Sequence, residues 1–110
     1  MSDPIITLLL RLGIRSTYRG FRYLHRALQL CLQNEDYLFS ICKLLYVDIA
    51  KEYQVSRDSV EHCMRTAISY CWNNGNRTFL CEIARFPLCA RPTNSEFIDI
   101  LYHYLNSSEG

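Results

Sequence analysis

One stretch of the chain carries polar side chains, at helical spacing, that could contact DNA bases. Between residues 57 and 74, apolar residues recur with the period of an α-helix, and the side facing away from them is polar. The polar side holds Ser59, Glu61, His62, Arg65, Thr66, Ser69 and Asn73. Groups of this kind are what a helix in the major groove presents to base edges. The same pattern also fits a half-buried helix with a solvated face.

The residues before this helix predict a helix-turn-helix. Asp48–Tyr53 reads as a first helix, and Gln54 and Val55 read as the turn. Ser56 is a favourable N-cap for the second helix, and Asp58 is favourable in its first turn. Since the second helix of such a motif reads bases, we predict base contacts from Arg57, Ser59, Glu61, His62, Arg65 and Thr66.

A basic segment without acidic residues lies between residues 11 and 26. It holds Arg11, Arg15, Arg19, Arg22, His25 and Arg26. The net charge of the chain is only +1, which is low for a nucleic-acid-binding domain, but a local stripe can still neutralise phosphates. We predict phosphate contacts from Arg15, Arg19, Arg22, Arg26, Ser56 and Ser69. The alternative is that the arginines are only solvated.

Other function classes find little support in the sequence. The histidines His25, His62 and His103 are far apart, and phosphate loops, nucleophile elbows and metal-ligand spacings are absent. We therefore expect no enzyme activity, no cofactor and no metal. The six cysteines sit singly, which predicts reduced packing residues in a cytosol rather than a disulfide framework. Because no apolar run is long enough for a membrane span, we expect a cytoplasmic protein without a membrane partner.

Capping residues mark the helices of the N-terminal half. Asp3 before Pro4 predicts the start of a first helix, and Gly13 predicts its end. A second helix opens at Gly20, with its apolar side formed by Leu24, Ala27, Leu28 and Cys31. The helical period returns over residues 37–45, which predicts a third helix packed beneath the motif.

The C-terminal half shows the same kind of signals. Gly75 predicts the end of the long helix, and a short helix is expected over residues 78–84. Thr93 and Glu96 have capping-box spacing and predict the start of a last helix, followed by a frayed tail over residues 106–110. With 110 residues and 49% hydrophobic content, the chain is expected to form one domain over residues 1–110.

Four segments of the chain together resemble one known family. They are Gly13–Leu28, Leu44–Tyr53, Val60–Ile68 and Pro92–Ile98, and the last reads PTNSEFI. In this order they resemble the DNA-binding effector domain of the sporulation master response regulator of endospore-forming bacteria. The resemblance implies an all-α fold, a compact bundle of about six helices that contains the helix-turn-helix.

The resemblance also implies a function. It implies a sequence-specific transcription regulator that binds double-stranded DNA, with the 57–74 helix in the major groove. It further implies a homodimer on tandem sites, contact with RNA polymerase, and a bacterial cytoplasmic location at the nucleoid. Candidate dimer surfaces are the exposed parts of residues 78–91 and of the last helix, since neither belongs to the motif. The alternative is a protein-interaction module of the same fold, with weakened DNA binding, that modulates a related full-length regulator.

The second helix of the motif departs from the family where specificity is decided. Glu61 and Arg65 match family positions that face DNA. Ser59 and His62 stand where the family pattern has arginines, and Thr66 stands where it has a histidine. Because arginine makes bidentate contacts with guanine, we predict poor binding to the family's own target sequence.

Three further departures concern the fold, the polymerase and regulation. Val47 replaces an expected proline, which favours joining of the third helix to the first helix of the motif. Ala84 and Arg85 replace an expected Phe-Gly pair in the region linked to polymerase contact. Full-length family members carry an N-terminal receiver domain, whereas this chain begins at Met1 beside the effector region. We therefore expect either a stand-alone effector or an excised fragment.

Overall fold

All regular elements in the described part of the chain are helices. The computed structural model describes residues 3–108. Its six α-helices are α1 (Pro4–Arg11), α2 (Arg19–Gln33), α3 (Tyr46–Tyr53), α4 (Arg57–Asn74), α5 (Arg77–Ile83) and α6 (Asn94–Ser108). A 3₁₀ helix (Glu35–Phe39) and a π-helical turn (Ile41–Leu45) lie between α2 and α3. This confirms the all-α fold of about six helices. Within residues 3–108, none of these helices is long and apolar enough to cross a membrane.

The helices α2, α4 and α6 contact one another around the core. The predicted inward sides are buried, namely Leu24, Ala27, Leu28 and Cys31 of α2 and Phe97, Ile98, Leu101, Tyr102 and Leu105 of α6. The Cα radius of gyration is 12.9 Å, close to the value of about 13 Å expected for a folded chain of this length. The apolar stripes found in the sequence are therefore the surfaces that bring these three helices together.

The first helix is bounded as predicted and is attached to the end of α4. The carboxylate of Asp3 accepts a hydrogen bond from the backbone N–H of Ile5 at 2.9 Å. Gly13 follows the helix with a φ of +84°, a left-handed conformation that favours glycine. A Cβ added to Gly13 would lie 2.8 Å from the Cα of Gly75, so the ends of α1 and α4 meet at two glycines. The N–H of Asn76 donates to the carbonyl of Leu12 at 2.9 Å and closes this junction.

A third glycine lets α2 cross α4 at close range. A Cβ added to Gly20 would lie 2.2 Å from the carbonyl oxygen of Cys63 and 2.7 Å from the Cβ of Ala67. Because any side chain would push the helices apart, the crossing depends on this glycine. The helix opens one residue earlier than predicted, at Arg19. The crossing places this arginine beside the middle of α4.

The single helix expected over residues 37–45 is wrong. The backbone of Ser40 has φ −146° and ψ 60°, outside the helical region, and separates the 3₁₀ helix from the π-helical turn. Asn34 caps the 3₁₀ helix, and the hydroxyl of Tyr37 donates to the carboxylate of Asp48 at 2.6 Å. The bond from Tyr37 links the 3₁₀ helix to α3. The π-helical turn runs directly into α3, so the joining expected from Val47 is confirmed for residues 41–45 but not for the 3₁₀ helix before Ser40.

The last helix begins as predicted but ends later. The N–H of Thr93 donates to the carboxylate of Glu96 at 2.8 Å, and the N–H of Glu96 donates to the hydroxyl of Thr93 at 3.1 Å, which completes the capping box. The frayed tail expected from residue 106 is wrong up to Ser108, because α6 extends to that residue. Arg85 donates to the hydroxyl of Ser107 at 2.6 Å and helps to hold this end. The remainder of the expected tail lies outside the described residues.

The cysteines only partly follow the prediction. All six are free thiols, but Cys42, Cys81 and Cys89 are exposed rather than packed in the core. They lie on outward-facing sides of their segments, which isolated cysteines in a sequence do not reveal. Cys31 and Cys71 are buried, and burial raises the pKa of each thiol to about 11.

Candidate nucleic-acid interface

The segment from α3 to α4 consists of two helices joined by a short turn, which is consistent with a helix-turn-helix. Three residues connect the two helices, and Gln54 takes a left-handed conformation with φ 57° and ψ 47°. The N–H of Val55 donates to the carbonyl of Ala50 at 3.0 Å and closes the turn. The hydroxyl of Ser56 accepts from the N–H of Ser59 at 3.0 Å, as expected for an N-cap. The first helix begins at Tyr46, two residues before the predicted start.

One side of α4 is embedded in the core. Its fully buried residues are Val60, Met64, Ala67, Ile68 and Cys71. Cys63 and Trp72, at the edges of the stripe, are only half-buried and pack against the core. This burial fixes which side of the helix faces outward.

The outward side of α4 is a polar ridge. We use the term recognition ridge for Asp58, His62, Arg65, Thr66, Ser69 and Asn73. All of these are exposed except Ser69, which is half-buried. Of the other predicted base-reading residues, Arg57 is exposed in the first turn, and Ser59 and Glu61 are half-buried at the edges of the ridge. Arg65 and Glu61 form an ion pair with each other across one helical turn.

A groove separates the recognition ridge from the start of α2. This α2 groove has a volume of about 290 Å³ and is lined by Tyr18, Arg19, Gly20, His62, Cys63 and Thr66. Arg19 is exposed and belongs to its wall. Arg22 is exposed one turn further along α2. Among residues 3–108, neither arginine forms an ion pair. Both guanidinium groups can therefore reach an external anion.

The other two predicted phosphate-binding arginines have partners within the protein. Nε of Arg15 donates to the hydroxyl of Tyr70 at 3.2 Å, which holds this arginine next to α4. Nε of Arg26 lies 2.8 Å from the carboxylate of Glu52 on α3, and a second nitrogen donates to Gln29. The charge of Arg26 is thus compensated inside the protein, whereas Arg15 keeps its charge beside the motif.

A second groove lies on the opposite side of the recognition ridge, between α4 and the start of α6. This α6 groove has a volume of about 270 Å³, and its lining includes Glu61, Arg65, Arg91, Thr93, Asn94 and Ser95. One guanidinium nitrogen of Arg91 donates to the hydroxyl of Ser69 at 2.5 Å. Ser69, predicted to contact phosphate, is therefore bonded to another part of the chain.

Asn94 supports the motif, although it was not among the site residues predicted from the sequence. Its side chain is buried, and its Nδ2 donates to the hydroxyl of Tyr46 and to the backbone carbonyl of Glu61, both at 3.0 Å. One amide thus connects the start of α6 to both helices of the motif. Burial raises the pKa of the Tyr46 hydroxyl, although the hydrogen bond from Asn94 opposes that effect. In the sequence, the feature that could have pointed to Asn94 is its position in the PTNSEFI segment.

The histidines are distributed over separate parts of the surface. Nε2 of His25 lies 2.8 Å from the carboxylate of Asp3, and Nε2 of His103 lies 3.1 Å from that of Asp99. His62 is on the recognition ridge. Within residues 3–108, no group of three or more His, Cys, Asp or Glu residues could hold a metal ion. The exposed side chains of α4 offer hydrogen-bond donors and acceptors with charges of both signs, and the exposed arginines of α2 add positive charge beside them.

Fold and surface together define a class of protein. A helix-turn-helix with a polar second helix, flanked by exposed arginines, is the arrangement of a DNA-binding effector domain. Residues 5–105 match the family described as Sporulation initiation factor Spo0A C terminal, which covers nearly the whole chain. The chain belongs to this family. This confirms the resemblance seen in the sequence and assigns the domain to DNA-binding regulation in sporulation, in a family that is not a family of enzymes.

Proposed function

We propose that the protein is a sequence-specific DNA-binding transcription regulator, with α4 in the major groove of double-stranded DNA. The observation that carries this proposal is the recognition ridge, which stands exposed between two grooves while the other side of α4 is buried. An α-helix fits the major groove, and the ridge is the only side of α4 left to enter it. A regulator of this kind acts in the bacterial cytoplasm, at the nucleoid.

The proposed base contacts come from the ridge and its edges. Arg65 is the leading base-reading residue, since its guanidinium is exposed at the centre of the ridge and can contact guanine. Glu61, its ion-pair partner, can accept from a cytosine amino group. His62 donates to a base or a phosphate, and Arg57, Ser59 and Thr66 complete the proposed set.

The residues proposed to contact phosphate are ranked by whether they already have a bonding partner within the protein. Arg19 and Arg22 lead because both are exposed and without an ion-pair partner among residues 3–108. Arg15 and Ser56 can add contacts beside the motif. Arg26 contributes least, because leaving Glu52 would cost it an existing ion pair.

The alternative function remains a protein-interaction module that modulates a related full-length regulator. The observation that favours it is the charge of the outward side of α4, where Asp58 and Glu61 offset Arg57 and Arg65. A nearly neutral surface is attracted only weakly to phosphates. For a transcription regulator, the proposed surface for RNA polymerase is the connection between α5 and α6, which the family resemblance links to polymerase contact. The replacement of the expected Phe-Gly pair by Ala84 and Arg85 counts against this contact.

Selection of bound duplexes from a random pool, followed by a salt titration on the best one, tests the proposal. Arg19→Ala and Arg22→Ala should each reduce the slope of log affinity against log salt by about 0.9. Arg26→Ala is the matched control, since it removes the same charge from the same helix and should leave the slope nearly unchanged. If no duplex forms a salt-dependent complex with the unmodified protein, the DNA-binding function is wrong and the interaction module is favoured.

A further inference from the structure

We propose that Arg91 contacts a DNA phosphate on the strand opposite to the one contacted by the arginines of α2. The recognition helix would then be held from both sides. This inference rests on the proposed DNA-binding function. It adds a binding residue to a loop that lies outside the helix-turn-helix.

Arg91 lies beside the recognition ridge of α4. Its guanidinium is exposed and bonded to Ser69, one helical turn after Arg65. Glu61, Arg65 and Ser69 follow one another at intervals of four, so they form one row along the helix. The first two of these residues line the α6 groove, whereas His62 and Thr66, in the adjacent row, line the α2 groove with Arg19. Arg91 and Arg19 therefore flank the recognition ridge from opposite sides.

The width of the major groove indicates which DNA strand each of the two arginines faces. The groove is about 12 Å wide and is bordered by one phosphate backbone on each side. An α-helix with its side chains is about 10–12 Å across, so it fills the groove. Cations on opposite flanks of the helix consequently face opposite strands. A guanidinium group suits this role because its five donors match the oxygens of a phosphate.

The segment that carries Arg91 is well anchored. Pro92 and Asn94 are buried, and the amide of Asn94 is bonded to both helices of the motif. Thr93 is held by the capping box with Glu96. Among residues 3–108, Arg91 has no ion-pair partner, so its charge is available. Ser69 then acts by holding the guanidinium in place rather than by touching the phosphate itself.

The chain offers a matched control in Arg85. This residue lies in the same connection between α5 and α6, is exposed, and donates to the hydroxyl of Ser107 at 2.6 Å. Arg91→Ala and Arg85→Ala therefore remove the same charge and the same type of hydrogen bond, but only Arg91 is beside α4. In a salt titration on the selected duplex, Arg91→Ala should reduce the log-log slope by about 0.9 and the affinity at 0.1 M salt roughly eightfold. Arg85→Ala should change neither.

Substitution of single phosphates by neutral methylphosphonates tests the assignment of strands. The unmodified protein should lose affinity when phosphates are neutralised on either strand beside the site. Arg91→Ala should become insensitive to one such position, and Arg19→Ala should become insensitive to a position on the other strand. If both variants lose sensitivity to the same phosphate, or to phosphates on the same strand, the proposal is wrong.

The outcomes separate this inference from the function on which it rests. If the unmodified protein binds DNA and Arg19→Ala lowers the slope, but Arg91→Ala behaves like Arg85→Ala, only the contact by Arg91 is refuted. If the unmodified protein binds no duplex, both are refuted. Arg91→Lys, which keeps the charge, should retain the slope of the unmodified protein. Should Arg91→Ala fail to fold, Arg91→Gln provides the same loss of charge with a side chain that can still reach Ser69.

Discussion

At the scale of residues, we expect a few side chains on the outward side of α4 to determine which DNA bases the protein recognises. The arginines expected by family comparison at positions 59 and 62 are replaced by a half-buried serine and an exposed histidine. Ser59 lies beside the N-cap, where its N–H is already bonded to Ser56. We therefore expect Arg65 to be the main guanine-contacting side chain on the ridge. From these two replacements we expect the protein either to recognise a site with fewer guanines than the family's target or to act mainly through protein contacts.

Restoring the two arginines should restore recognition of the family's target sequence. We expect the double substitution Ser59→Arg and His62→Arg to increase affinity for that sequence, because each guanine contact contributes about 1–3 kcal/mol of discrimination. Affinity is to be measured at a fixed salt concentration against both the family sequence and a scrambled duplex. Equal gains in affinity for both duplexes would show that the added positive charge, and not base recognition, strengthens binding. Tight binding of the family sequence by the unmodified protein would contradict the argument.

The capping residue of α1 makes stability depend on acidity. Partial burial opposes ionisation of Asp3, but hydrogen bonds from His25 and from two backbone N–H groups outweigh it and lower the pKa of this carboxyl group. Because the pKa of Asp3 is lower in the folded protein, its carboxylate stabilises the fold at pH values above the unfolded-state pKa of 3.8. This stabilisation is lost as the pH falls through the pKa of the folded state. Asp3→Asn keeps a capping oxygen but has no carboxylate, so its acid-induced loss of stability should be smaller.

Urea unfolding at several pH values checks this expectation. Asp3→Ala should cost about 1 kcal/mol near neutral pH through loss of the cap, while Asp3→Asn should cost less. Identical pH profiles for Asp3→Asn and the unmodified protein would show that the carboxylate has no part in acid unfolding.

At the scale of elements, the crossing of α2 over α4 positions the basic side chains. Gly20 permits the backbone of α2 to approach the carbonyl of Cys63, and Arg19 is its immediate neighbour. The arginine reaches the α2 groove because of this close approach. Helix packing and the proposed phosphate contact of Arg19 therefore depend on the same glycine.

Gly20→Ala should destabilise the protein although alanine is the better helix former. In an open helix the change would stabilise by about 0.5–1 kcal/mol, but here the new methyl group would overlap the backbone of α4. We expect a loss of about 1–3 kcal/mol in the free energy of unfolding, together with weaker DNA binding as Arg19 moves away. Gln33→Ala, at the exposed end of α2, should stay within about 0.5 kcal/mol of the unmodified protein. A more stable Gly20→Ala variant would contradict the close crossing.

At the scale of the whole molecule, we expect a second copy to bind to the surface away from α4. We infer that residues 1–110 act as one unit, since core residues extend from Ile5 in α1 to Leu105 in α6. The first part of the connection from α5 to α6, residues 84–91, lies within the segment predicted for pairing. Phe86 in this part is 43% exposed. An exposed aromatic side chain there is suited to contact between neighbouring copies on DNA.

Binding to two tandem sites should be cooperative and should depend on their spacing. A change of half a helical turn, about 5 base pairs, places the second copy on the other side of the duplex and should abolish cooperativity. Phe86→Ser should reduce cooperativity without changing affinity for a single site. Phe39→Ser is the control, since Phe39 is 84% exposed but lies in the 3₁₀ helix, outside the predicted pairing segments. Equal cooperativity at all spacings would contradict pairing on DNA.

The sequence by itself determined the six α-helices to within a few residues at their ends, several of their caps, and the inward side of α4. Capping by Asp3, Ser56 and Thr93 involves groups two or three residues apart, so a short stretch of sequence contains both partners. The apolar period of α4 likewise predicts its buried side without knowledge of the neighbouring helices. The break at Ser40 was missed because apolar spacing hardly distinguishes a 3₁₀ helix followed by a π-helical turn from one α-helix.

Only the tertiary structure decided which charges face outward from the motif. The sequence treats Arg19, Arg22 and Arg26 alike, but packing of α2 against α3 pairs the last of them with Glu52, 26 residues away. The contact of Arg91 with Ser69 joins residues that are 22 apart. Such pairs form only when separate helices are brought together by burial of their apolar sides. The spacing of residues within one helix does not predict which helices pack together.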